Sequence, residues 1–223
     1  MKLVILGATG GVGQQLVTTA TSRGDDILVV ARDKTRLPHN WTCNVAEIDL
    51  LKAPSTILES AIAGADAVLS ALGARRAADQ GILAAAATSV LAAMQETGVR
   101  RYIGISAAPV ATTPSPARPT PPRHDPGDDF LTRSVMMPIV KRLFAAAYTD
   151  SALMEDAVRA SGLDWTIMRP PRLTNKPATG QHRTATDQNV RRGRSISRAD
   201  LAHFMLDAIN NPDTVGHTIG IAY

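Results

Sequence analysis

Gly7, Gly10 and Gly13 stand in GATGGVG at the spacing G-x-x-G-x-x-G, close to the start of a 223-residue chain. A turn of this kind lets the backbone approach a pyrophosphate, and the helix after it offers unpaired N–H groups and the positive end of its dipole. Gly13 lets that helix pack close to the preceding strand. Glycine triplets are common in ordinary turns, so the position decides: this one follows an apolar strand and opens a helix, as a dinucleotide site requires. About twenty positions on comes Arg32, where an acidic residue takes the ribose hydroxyls of NAD and an arginine accepts the 2′-phosphate of NADP. Arg32 therefore favours NADP, with Lys34 and Arg36 adding to the local positive field.

The elements that must hold these residues follow from periodicity. Lys2 to Leu6 reads as a strand, Val12 to Arg23 as a helix stopped at Gly24, and Ile27 to Ala31 as an unbroken apolar run. Such a run suits a strand covered on both faces of a parallel sheet. Val45 to Ile48, ending in Asp49, is a third strand, Pro54 to Ala63 its return helix, and Asp66 to Ser70 a fourth strand. That strand runs out through Ala71, Leu72, Gly73, Ala74 and Arg75, whose small members let the chain pass close to a ribose and adenine. Ala84 to Thr97 is a helix with Gly98 as its stop, and Arg101 to Ile105 a fifth strand ending at Ser106. The alternation predicts an α/β fold: a Rossmann-like, doubly wound parallel sheet with helices on both faces and the ligand beyond the strands' carboxyl ends.

Between Pro109 and Pro126 seven prolines exclude regular structure and leave a loop, read as a lid over the site or as disorder. Val135 to Ala160 reads as helix on both sides of Pro138, which suits the first turn of the second piece. Leu163 to Arg169 is a sixth strand, followed by Pro170-Pro171 and Arg172. Thr184 to Gly193 reads as a short hairpin, and Ser197 with Asp200 as an N-cap pair opening a helix from Arg198 to Ile209. His217 to Ala222 is a last strand. One domain over 1–223 is expected, with the proline loop at 109–126 and a small cap region over 170–223.

Composition narrows the function classes. No run approaches the roughly 18 apolar residues of a membrane span, and the first residues form a strand rather than a signal peptide, so a cytoplasmic protein with no membrane partner is expected. The net charge of +4 suits nucleic acid or a phosphorylated cofactor, but aromatic content of 4% leaves no stacking platform, so no nucleic-acid partner is expected. The partner is instead a small-molecule substrate, and the protein a monomer or weak homodimer. Cys43 reads as an apolar filler, and the five histidines are too dispersed for a metal site. Asp150, Glu155 and Asp156 read as the polar face of a helix, and Met136-Met137 as core.

Ser106, Pro170-Pro171 and the stretch ISRADLAHFML from Ile196 to Leu206 give the chain a recognisable likeness. It resembles the atypical short-chain dehydrogenases, NmrA-like proteins included, and among them the small NADPH-dependent flavin reductases, also called biliverdin-IXβ reductases. The resemblance implies that NADP(H) binds and that hydride passes to a flat acceptor: a flavin, with FMN or FAD as substrate, a quinone or a tetrapyrrole. It implies a cofactor set of Gly7, Thr9, Gly10, Gly11, Val12, Gly13, Arg32, Asp49, Leu50, Leu72, Gly73, Ala74, Arg75, Ser106 and Pro170. Ser106 falls at an active-site serine, and Arg172 replaces a histidine of those reductases. A permanent cation there steers an anionic acceptor but is a poor general acid. Tyr148 is followed four residues later by Ala152, so the tyrosine–lysine pair of the wider superfamily is missing. Two other classes fit the fold: a non-catalytic NADP(H)-binding redox sensor of the NmrA-like type, and an isomerase, dehydratase or epimerase. The last requires acid–base residues near Ser106, and none is legible in the sequence.

Overall fold

The computed structural model describes residues 1–73 and 81–223. Its first half alternates as β1 (Lys2–Leu6), α1 (Gly11–Ser22), β2 (Asp26–Ala31), β3 (Asn44–Glu47), α2 (Ser55–Ile62), β4 (Ala67–Ser70), α3 (Ile82–Thr97) and β5 (Arg101–Ile105). Then come α4 (Met137–Leu143), α5 (Ala145–Ala160), β6 (Asp164–Arg169), β7 (Arg172–Thr174), β8 (Arg183–Thr186), β9 (Ser195–Ser197), α6 (Arg198–Asp207) and β10 (His217–Ala222). The main sheet has the order β3-β2-β1-β4-β5-β6-β10-β8. Strands β3 to β10 in that order run parallel and β8 runs antiparallel to β10. The order reverses between β1 and β4, which opens a crevice at their carboxyl ends.

Burial explains why these segments are strands. Leu3, Val4, Ile5 and Leu6 of β1 and Val68 and Leu69 of β4 are all but inaccessible, because each strand has helices on both sides. One apolar layer joins the sheet to α1 and α6, with Leu16, Val17, Leu201 and Met205 at its centre. The opposite layer joins it to α2, α3 and α5 through Leu58, Val90, Met94 and Val158. Gly98 ends α3 in a left-handed conformation at φ 72°, which spares a Cβ clash.

Four expectations are corrected. The segment 184–193 is no hairpin: β8 pairs with β10, and β9 pairs with β7 in a separate two-stranded sheet. The proline loop holds a short 3-10 turn at Ala108–Thr112 and is pinned, since Asp156 accepts from Ser115 Oγ at 2.9 Å and from the Ala117 N–H at 3.1 Å. Asp150 and Glu155 face inward rather than to solvent. Asp150 accepts from the N–H groups of Leu83 and Ala84 at 3.0 and 3.1 Å, capping α3 from α5. Met136 is exposed rather than core, because it belongs to a widened π-helical turn, Thr132–Met136, on the outside of the fold. That turn runs directly into α4, whose first turn holds Pro138.

Candidate cofactor and acceptor site

The glycine turn is built by close approach. Gly7 has φ +76°, and a Cβ on it would lie 2.5 Å from the carbonyl oxygen of Ala71. A Cβ on Gly13 would lie 2.3 Å from the carbonyl oxygen of Gly7, so α1 starts hard against the end of β1. Gly10 donates its N–H to the Gly7 carbonyl at 2.9 Å and caps α1. The N–H groups of Gly11, Val12 and Gly13, in the first turn of α1, have no acceptor within the helix. This is a cradle with its donors turned outward.

Beside it lies a cleft of about 190 Å³, lined by the Gly7–Thr9 backbone, the carboxyl ends of β2, β3 and β4, and the start of α3. Arg32, Arg36, Asp49, Leu50, Leu72 and Gly73 all face it. Arg32 is exposed, and among the described residues no salt bridge engages it. Asp33 also borders the cleft, but its Oδ1 accepts from Thr35 N at 3.0 Å and Thr35 Oγ1 at 2.6 Å. Those bonds hold its carboxyl below the usual aspartate value. Lys34 is not among the lining residues and reaches toward Glu47 at 3.8 Å. Ala74 and Arg75 lie outside the described residues.

The other end of the same edge is formed by β5 and β6. The Ser106 N–H donates to the Met168 carbonyl at 2.8 Å, and the Ala108 N–H to the Pro170 carbonyl at 3.0 Å, which brings Ser106 and buried Pro170 together. Ser106 is nine-tenths buried and its Oγ has no hydrogen-bond partner of ordinary geometry. Its hydroxyl lies near enough to Glu155 to help keep that carboxylate ionised. Arg172 is exposed on β7, with no salt bridge among the described residues.

Glu155 is the functional-site neighbour that sequence reasoning missed. It is fully buried; its Oε1 accepts from Arg169 Nε at 2.9 Å, and its Oε2 from Arg169 at 2.5 Å and Arg159 at 3.1 Å. Burial alone would raise its pKa, but the Arg169 bonds and the two guanidinium charges outweigh that and hold it below the usual glutamate value. The available signal was its place on the apolar stripe of α5, between Met154 and Val158, with Arg169 following the apolar Ile167 and Met168 in its strand. Tyr102, fully buried in β5 beside Ser70, has its pKa pushed up to about 12 by burial, so it holds its proton.

A parallel sheet in this order, with a glycine cradle at its switch point, defines a Rossmann-like dinucleotide-binding protein. A family model described as NAD(P)H-binding matches residues 7–212, and the chain belongs to that family, in agreement with its resemblance to atypical short-chain dehydrogenases. An uncharacterized sugar epimerase of Bacillus subtilis, YhfK, is 25% identical over 220 residues, spanning 96% of this chain and 90% of its own. A short-chain dehydrogenase/reductase from Veillonella parvula, solved in complex with NADP, superposes with a TM-score of 0.76 at 21% identity, covering 100% of this chain and 94% of that one. A proposed NADH-flavin reductase from Streptococcus pneumoniae gives 0.76 at 19% identity, covering 100% and 99%. Among the described residues no helix is long and apolar enough to cross a membrane.

Proposed function

We propose that the protein is an NADPH-dependent reductase that passes hydride to a flat conjugated acceptor such as a flavin, a quinone or a tetrapyrrole. The observation that carries this reading is the glycine cradle at the switch point of the sheet, with Arg32 and Arg36 facing the cleft beside it. The residues fit the cofactor. Backbone N–H groups of Gly11 to Gly13 meet the pyrophosphate, Arg32 and Arg36 the 2′-phosphate, Asp49 and Leu50 the adenine, and Leu72 and Gly73 the adjoining ribose. Ser106 Oγ hydrogen-bonds the carboxamide or an acceptor carbonyl beside Pro170.

The bound reduced nicotinamide supplies the hydride. The protein supplies placement and field. Arg172 draws in an anionic acceptor and gives up no proton. Tyr102 retains its proton, and Glu155 is saturated by arginines, so neither acts as a general acid. A flavin ring, which spreads the incoming charge, needs no strong protein acid. Sugar epimerisation, suggested by the name of the Bacillus relative, needs a free acid–base pair, and the carboxylate beside Ser106 is engaged. The reading takes residues 1–223 as one domain, supported by β10 lying next to β6 and α6 packing against α1.

The test is NADPH oxidation with a panel of flavins, quinones and linear tetrapyrroles. Turnover of at least one class is expected, reduced in Ser106→Ala. Tight NADPH binding with no turnover of any acceptor would replace the reductase by the NmrA-like sensor.

A further inference from the structure

Gly11 is the glycine of GATGGVG that the G-x-x-G-x-x-G spacing does not use. It occupies the first position of α1 with ordinary helical backbone, so conformation does not require glycine there. Space does. A Cβ on Gly11 would fall 2.6 Å from Cδ and 2.8 Å from Nε of Arg198. Arg198 opens α6, which packs along α1, and its side chain crosses onto the first residue of α1. There its guanidinium donates to Asn175 Oδ1 at 2.6 Å, a neutral acceptor just beyond β7. Among the described residues no salt bridge engages Arg198, and none engages the nearby Arg172 or Lys176.

This placement is electrostatically one-sided. The N-terminus of a helix carries partial positive charge, so a cation beside it is disfavoured unless an anion joins them. Here a guanidinium rests on the N-terminus of α1 while also starting α6. The acid in the first turn of α6 gives no relief: Asp200 is buried and taken up by Ser197, Thr179, Gly180 and Tyr223.

We propose that Arg198 is a cofactor-binding residue, its guanidinium closing on the pyrophosphate from the α6 side opposite the N–H groups of α1. Gly11 is bare to let it lie there, and Asn175 holds it in place. The proposal rests on the nicotinamide-dinucleotide reading above and adds a ligand from nearly 190 residues beyond the glycine motif.

The test uses the full-length protein and three probes: NADPH, NADH and 2′-AMP, which carries the adenine-side phosphate and no pyrophosphate. Arg198→Ala is expected to weaken NADPH and NADH by the same factor, about tenfold to a hundredfold, as loss of a charge-assisted bond would. Binding of 2′-AMP should stay as in the wild type, which a general loss of structure would not allow. Arg198→Lys should recover part of the affinity. Gly11→Ala should weaken the dinucleotides by pushing Arg198 aside, yet add little in the Arg198→Ala background. NADPH affinity within about twofold of wild type in Arg198→Ala, or an equal loss of 2′-AMP, would overturn the assignment. A wild-type protein that binds none of the three probes would overturn the cofactor reading itself.

Discussion

At the β1–β4 end of the sheet's carboxyl edge the glycine turn packs main chain on main chain, while the β5–β6 end is tied together by long side chains reaching between distant segments. The first end brings Gly7 against Ala71, Gly13 against Gly7, and the small residues after β4 beside the glycine turn. The second depends on Asp125, which accepts from the N–H groups of Gly127 and Asn189, each at 2.8 Å. Lys141 donates to the Thr112 carbonyl at 2.6 Å, and Arg118 to that of Val110 at 2.7 Å. Beneath both lies the Glu155–Arg169 pair. Outside, Leu131, Val135, Ile139 and Leu143 form an apolar ridge between 45% and 70% exposed. Backbone cradles suit a ligand that never varies. Side-chain scaffolds on loops suit one that differs from enzyme to enzyme, which is where a shared fold acquires its own substrate.

Breaking the second end at its foundation has the largest expected effect. Arg169→Met strands the buried Glu155 carboxylate with Arg159 alone, and a loss of about 3–5 kcal/mol in chemical denaturation is expected. A loss under about 1 kcal/mol would place the support of the β5–β6 end elsewhere. Next comes Gly13→Ala, where the new Cβ meets the Gly7 carbonyl and the Ala8 Cα, backbone that cannot swing away. About 1–3 kcal/mol of stability should go, and NADPH affinity with it. Normal NADPH titration by that variant would mean the cradle is not the binding surface.

The smallest effect concerns acid. Burial would raise the Asp200 pKa, but bonds from Tyr223, Gly180, Ser197 and Thr179 bring it down to about 2 from 3.8. A carboxylate lowered on folding stabilises above its unfolded value and stops doing so as pH falls through its folded value. Melting midpoints should therefore fall between about pH 4 and 2, and less steeply in Asp200→Asn than in the wild type.

The same contrast decides what the sequence made legible. From Lys2 to Ile105 each β-strand and α-helix among the described residues follows from local sequence signals, with ends shifted by a residue or two, though the short 3-10 turn Lys34–Arg36 does not; Arg101–Ile105 and His217–Ala222 coincide with observation. Signals there are local: an unbroken run, a glycine, a cap such as Ser197 Oγ accepting from the Asp200 N–H at 2.9 Å. Arg32, Asp49, Leu50, Leu72 and Gly73 fall round one cleft for the same reason, since each ends a strand of a parallel sheet. The second end was read less well because its partners are far apart in the chain. Asp150 caps a helix 66 residues away, β8 pairs across to β10, and Glu155 looks like any acid on a helix until Arg169 is folded against it. Met136 reads as core from its apolar character alone, which says nothing of the side of the helix that is covered.

The most direct measurement of the account is the affinity of the purified protein for NADPH and NADH, with and without Arg32. The wild type should bind NADPH more tightly, and Arg32→Ala should weaken NADPH by about tenfold or more while leaving NADH nearly unchanged, since only the 2′-phosphate is lost. Equal affinity for the two dinucleotides, or an equal loss of both in Arg32→Ala, would contradict the claim that the β1–β4 end of this sheet is an NADP pocket.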